Sequence, residues 1–247
     1  MKKLLLILII LPVVSPAFSQ RVQIINDLKA ELNRTKEDTT RIKIYADISY
    51  IYGFLNEDSC FYYTNRGLDL AQQIDYEKGK ILMFNQLGNY YLNAGDLPQA
   101  MQIFIKTRKM AKEIHDQSGM VSSLIGTALV YSGIDTTLAK RDLLQARQLA
   151  KLENGSLSES INRIDVNLGI GYLRYNNLDS AFFYLNGLYQ RTKPDDFMYT
   201  PALAFLGAVE AMMGHTDKGI KLLNQSVEVG QKDKDYYTLA DSYYTLV

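Results

Sequence analysis

Asn85, Asn89 and Asn93 recur at four-residue intervals, and two arginines, Arg163 and Arg174, stand further along the chain. An amide both donates and accepts hydrogen bonds, so an asparagine row fits recognition of an extended peptide backbone. A guanidinium grips a carboxylate through two parallel hydrogen bonds. This is binding chemistry, and the residues that catalysis would use are sparse. The only histidines, His115 and His215, lie 100 residues apart with no ligand-like partner three or four positions on, which makes a poor metal site. His115 sits in Glu113-Ile114-His115-Asp116, a setting where an imidazole could accept a phosphoryl group. That chemistry needs a Gly-rich loop to cradle phosphate, and none is present. His115 therefore reads as a solvated residue at a helix end, where the dipole favours a cation. His215 follows Gly214 and reads as a turn residue. No G-x-S-x-G, P-loop, H-E-x-x-H or C-x-x-C occurs, and Asp195-Asp196 reads as loop charge. The sole cysteine, Cys60, can form no intrachain disulfide and packs as a small hydrophobe. No catalytic, cofactor or metal site is predicted.

The elements that must position the asparagines and arginines repeat along the chain. The best copy reads Phe84-x2-Leu87-Gly88-x2-Tyr91, then Ala100-x3-Phe104. Weaker copies centre on Ser49, Gly126, Gly169 and Gly207, each followed by a small residue: Cys60, Ala139, Ala181 and Gly219. The steps between the centres are 39, 38, 43 and 38 residues. A small residue on each helix of a pair lets the two backbones approach closely. Breakers fall where turns are needed, at Asn93-Ala94-Gly95-Asp96, Asn176-Asn177 and Gly214-His215.

This spacing resembles the tetratricopeptide repeat, with Phe84 standing for the usual Trp; that repeat is about 34 residues long. The extra residues amount to roughly one helical turn per unit. The resemblance implies an all-α, right-handed superhelical solenoid of antiparallel hairpins, since one hairpin cannot bury its apolar face alone. Five hairpins are predicted, over about 40–75, 77–116, 118–153, 158–193 and 198–233. It also implies a concave groove lined by the first helix of each hairpin. The lining positions of the family, carried onto this sequence, give Lys43 and Tyr50, then Asn85, Asn89 and Asn93. They continue with Ser123, Thr127 and Tyr131, then Arg163 and Arg174, then Met212. The implied ligand is a protein or peptide.

Glu210 stands where other copies hold Tyr or Leu. A buried carboxylate needs a partner; Lys218 or a tyrosine of the last segment could supply one, or the side chain could reach solvent. The 18 tyrosines include adjacent pairs such as Tyr62-Tyr63 and Tyr90-Tyr91, in which one ring can pack while the other keeps its hydroxyl wet.

The ends carry their own signals. Lys2-Lys3, the apolar run 4–14 and Ala17-Phe18-Ser19 read as a leader removed between Ser19 and Gln20. Its apolar stretch is too short for a spanning helix, which needs about 20 residues. Segment 20–39 reads as a capping helix with Val22, Ile25, Leu28 and Leu32 on one face. Segment 235–247 reads as the first helix of an incomplete sixth hairpin, with more sequence expected beyond it. No later segment predicts a transmembrane helix. Twenty-seven basic residues balance 27 acidic ones and are scattered, which argues against nucleic-acid binding.

The order of leader, short helix with Asp38-Thr39-Thr40, and long hairpins resembles the extracytoplasmic sensor region of bacterial membrane-bound histidine kinases and transcriptional regulators. It implies an exported, periplasmic, non-enzymatic interaction module of a signalling protein. Two other origins fit the sequence: the amino-terminal part of a sensor histidine kinase, and a free-standing periplasmic scaffold for envelope assembly.

Overall fold

The computed structural model describes residues 16–233, apart from 54, 153–156, 195 and 197. Among these residues there are eleven α-helices and no strand. They are α1 Pro16–Arg34, α2 Asp38–Tyr52, α3 Glu57–Gln73, α4 Glu77–Asn93, α5 Leu97–Glu113 and α6 Gln117–Tyr131. After them come α7 Thr136–Leu152, α8 Ser158–Arg174, α9 Leu178–Arg191, α10 Tyr199–Met212 and α11 Thr216–Asp233. The architecture is the tetratricopeptide-like solenoid that the repeat predicts. α1 starts at Pro16 and runs across the expected cut after Ser19, earlier than the helix read from position 20. The rest of the leader, and the helix expected over 235–247, lie outside the described residues.

Local chemistry sets the start of the second helix in four of the five hairpins. Asn56 accepts from Ser59 N at 2.7 Å, Asp96 from Gln99 N at 3.1 Å, and Asn177 from Ser180 N at 3.2 Å. Asp135 accepts from the amides of Thr137 and Leu138. Each cap stands four residues before the small residue of its hairpin, and each satisfies an amide that the helix cannot. The fifth position in this series is His215. His115 occupies a different turn, just past α5, with φ +56, as Asp75 does past α3 with φ +51. Left-handed backbone of this kind belongs to tight helix-to-helix turns, so His115 serves the turn.

Packing follows the small-residue slots. The Phe104 ring of α5, 1% exposed, lies against Gly88 of α4 and Gly126 of α6. Leu185 lies against Gly169 in the same way. In α2 the slot is polar: Ser49 Oγ meets Thr64 Oγ1 at 2.5 Å and lies 3.6 Å from the buried Cys60. Burial pushes the Cys60 thiol above its ordinary pKa, consistent with a packing residue. α6 and α10 are buried on several faces, whereas α3, α5, α7 and α9 keep one wet face. Successive even-numbered helices from α2 to α10 touch one another, and successive odd-numbered helices make no comparable contact among the described residues. The even helices therefore form the inner layer of the stack.

Candidate functional site

The inner layer carries all eleven nominated groove residues, but it does not expose them all. Lys43, Asn93, Arg174 and Met212 are exposed, and Tyr50 is 37% exposed. Asn89, Tyr131 and Arg163 are half-buried. Asn85, Ser123 and Thr127 are buried, which corrects their expected place on the groove surface. Ser123 Oγ donates to Met120 O within its own helix. Thr127 turns toward α7, its Oγ1 donating to Asp142 Oδ2 at 2.6 Å. Asn85 shares its register with Ala46 of α2 and Ala204 of α10, also buried, where inner helices meet. The asparagine row is thus broken: Asn93 donates to Gly53 O of the preceding hairpin, Asn89 contacts Gln86, and Asn85 is interior.

The inner face narrows between α2 and α8. The Arg163 guanidinium carbon lies 6.0 Å from the centroid of the Tyr50 ring, within cation–π range. Nearby, desolvation and the charges of Glu159 and Glu31 push the Asp47 carboxyl above its ordinary pKa. Two residues nominated as separate lining positions therefore meet each other across the inner space.

A cleft of about 610 Å³ opens between the α6–α7 hairpin and α8. Among nominated residues it takes Arg174 alone. Leu129, Leu143 and Ile170 supply apolar wall, and Lys140 rests its Nζ 4.5 Å from the Tyr172 ring centroid. Thr136 Oγ1 and Tyr175 Oη meet at 2.7 Å and tie the two hairpins together at one end. An open hollow containing Met212 adjoins it through Tyr175 and Asn177. Among the described residues no group of three or more His, Cys, Asp or Glu is placed to hold a metal ion. No helix among them is long and apolar enough to cross a membrane.

A family profile, the SusR N-terminal TPR domain, matches residues 17–230, nearly the whole described region. The chain belongs to that family. No curated protein matches this SusR-type TPR domain. Among solved structures it is similar to BtubC (BKLC) from P. vanneervenii, at 12% identity and TM-score 0.62, over 87% of this chain and 89% of that one. It is also similar to a STAND signal transduction ATPase with a tetratricopeptide repeat sensor from Pyrococcus horikoshii, at 13% identity and TM-score 0.68. That match covers 92% of this chain but 35% of the ATPase. Apo RapI matches at 14% identity and TM-score 0.56, over 92% and 68% of the two chains. At such identities the likeness is one of fold.

What this chain adds to the bare repeat is a set of buried carboxylates. Asp165, fully buried on α8, is held by Arg147 of α7 and, at 2.6 Å, by Arg191 of α9. The Asp165 hydrogen bond is the main cause that raises the Arg147 pKa. Asp142, 2% exposed, takes Thr127 and the adjacent Arg141, with Arg108 at 4.0 Å. Glu210, 1% exposed, pairs with Lys218 Nζ at 2.6 Å and His215 Nδ1 at 2.7 Å. Lys218 is a partner that the sequence reading names; His215, still 61% exposed in its turn, is a second that it does not. Asp165 occupies the slot that holds Phe84 in the best copy, and that departure was the available signal. Gly171 and Lys140 line the cleft without matching any repeat position, so nothing in the spacing pointed to them.

Proposed function

We propose that this SusR-type TPR domain is the non-enzymatic interaction part of an exported signalling protein, and that it takes a protein or peptide partner along its inner face. The carrying observation is the inner layer of even helices with Lys43, Asn89 and Asn93 on its accessible side. The matching family is described as an N-terminal TPR domain, and the fold neighbour from Pyrococcus horikoshii is a signal transduction ATPase with a tetratricopeptide repeat sensor. Both support a sensing role upstream of an output module. The leader read from 1–19 supports export. An extended segment suits the inner face better than a folded domain, because Tyr50 and Arg163 leave little width between α2 and α8.

The test is selection of binders from a displayed random peptide library. Binding is expected to fall at least tenfold when Lys43, Asn89 and Asn93 are all changed to Ala, with helicity unchanged. Arg174 is left intact because it also lines the cleft. Binders that ignore this triple change but are lost on altering the outer residues Gln102 and Lys109 would place the partner on the other side.

A further inference from the structure

The cleft between the α6–α7 hairpin and α8 has a chemical character distinct from the inner face. Its wall is chiefly apolar, with Leu129, Leu143 and Ile170 contributing. Two cations, Lys140 and Arg174, stand among its lining residues, and no carboxylate does. Among the described residues neither cation is engaged in an ion pair: Lys140 rests on the Tyr172 ring, and Arg174 is exposed. The nearest acids along the chain on the α7 side, Asp142 and Asp135, are already engaged, Asp142 by Thr127 and Arg141 and Asp135 by the amides of Thr137 and Leu138.

Gly171 gives the second observation. It lies inside α8, where glycine costs roughly 0.5–1 kcal/mol relative to alanine. The repeat-slot glycines each have a packing reason, with a would-be Cβ running into a neighbour at under 3.0 Å at Gly88, Gly126, Gly169 and Gly207. At Gly171 a Cβ would meet nothing within 4 Å. The space it leaves belongs to the cleft. A helix that forgoes a side chain without a protein neighbour to make room for is keeping that volume open.

We propose that this cleft is a binding site for a small amphiphilic organic acid. The apolar body lies over Gly171 against the leucine and isoleucine wall, and the anionic group sits between Lys140 and Arg174. A volume of about 610 Å³ falls within the range of ligand pockets, roughly 300–1,000 Å³. The proposal stands apart from the inner-face reading, and the variants that test the two do not overlap.

The probes are octanoate and 1-octanol, titrated by calorimetry, with shorter carboxylates as a series. Octanoate is expected to bind saturably, with affinity rising up to about fourfold per added methylene. Octanol is expected to bind at least roughly tenfold more weakly, because hydrogen bonds to a charged group are the stronger kind. Changing Lys140→Met together with Arg174→Gln should bring the two probes to equal affinity. Gly171→Leu should abolish binding of both while leaving the melting temperature unchanged or higher. Gly171→Ala should weaken binding in part and guards against misfolding of the larger change. Equal binding of acid and alcohol by the natural chain overturns the proposal. So does octanoate binding that survives Gly171→Leu in a folded variant, or no saturable binding at all.

Discussion

Phe104 and Gly126 are packed so closely that a Cβ on the glycine would lie 2.4 Å from the ring. The same ring lies against Gly88, where a Cβ would approach to 2.5 Å. One aromatic side chain of α5 thus closes its own hairpin against α4 and the next hairpin against α6. Because Phe104 is 1% exposed, the ring has no solvent side into which to move.

Gly126→Leu is therefore expected to destabilise the fold by at least about 1–3 kcal/mol, the usual range for overpacking. Gly88→Leu should act in the same direction. Pairing Gly126→Ala with Phe104→Leu should recover part of the loss, with a coupling of about 0.5–3 kcal/mol. Urea midpoints measure both. Additive losses in the double variant would show that the ring and the glycine do not share space.

Asp165 depends on its two arginines, since it is fully buried. Changing both Arg147 and Arg191 to Met leaves an unpaired buried carboxylate, which costs about 3–5 kcal/mol. Adding Asp165→Leu to that pair should restore much of the stability, because an apolar group of similar volume no longer needs the cations. A triple variant as unstable as the double would mean that the arginines act through packing.

Glu210 offers an acid-sensitive contribution. Burial alone would raise its carboxyl pKa, but hydrogen bonds and charge from Lys218 and His215 outweigh burial and hold it below the ordinary value of 4.5. A carboxyl lowered by folding stabilises the fold fully above its unfolded value, and the contribution is lost as pH falls through the folded one. Glu210→Gln should therefore lower the melting temperature at pH 7, and the gap from the natural chain should close as pH falls below 4.5 and through the lowered folded value. A gap that stays constant across that range would remove the carboxylate charge from the account.

The repeat was legible because its physics is local. Close approach of two helices demands small residues at fixed spacing, and Gly88, Ala100, Gly126 and Ala139 satisfy that demand in plain sequence. Turn residues such as Gly95 and Asn177 were legible for the same reason. The site was harder to read. Whether Thr127 faces a groove or α7 depends on Asp142, which the repeat pattern does not constrain. The meeting of Tyr50 with Arg163 depends on how far the stack curves between α2 and α8. That curvature accumulates over three hairpins, and no single spacing encodes it. The cleft hides for a third reason: Gly171 is informative only once the space beside it is seen to be empty.

Asp47 provides the opposite pH dependence to Glu210. Desolvation is the largest cause that raises its carboxyl pKa, followed by the charges of Glu159 and Glu31. A carboxyl raised by folding favours the protonated form, so its contribution is complete in acid and is lost as pH rises through the folded value. Asp47 keeps part of its surface in water, which screens these effects, so at pH 7 its ionised form works against the fold only weakly. Asp47→Asn should consequently raise the melting temperature at pH 7, and the gain should shrink as pH falls below the raised value. Glu159→Gln should give a smaller gain in the same direction, since it removes one repelling charge while leaving the desolvation of Asp47 in place. If Asp47→Asn lowers the melting temperature at neutral pH, the carboxylates of α1, α2 and α8 do not converge as the structure places them.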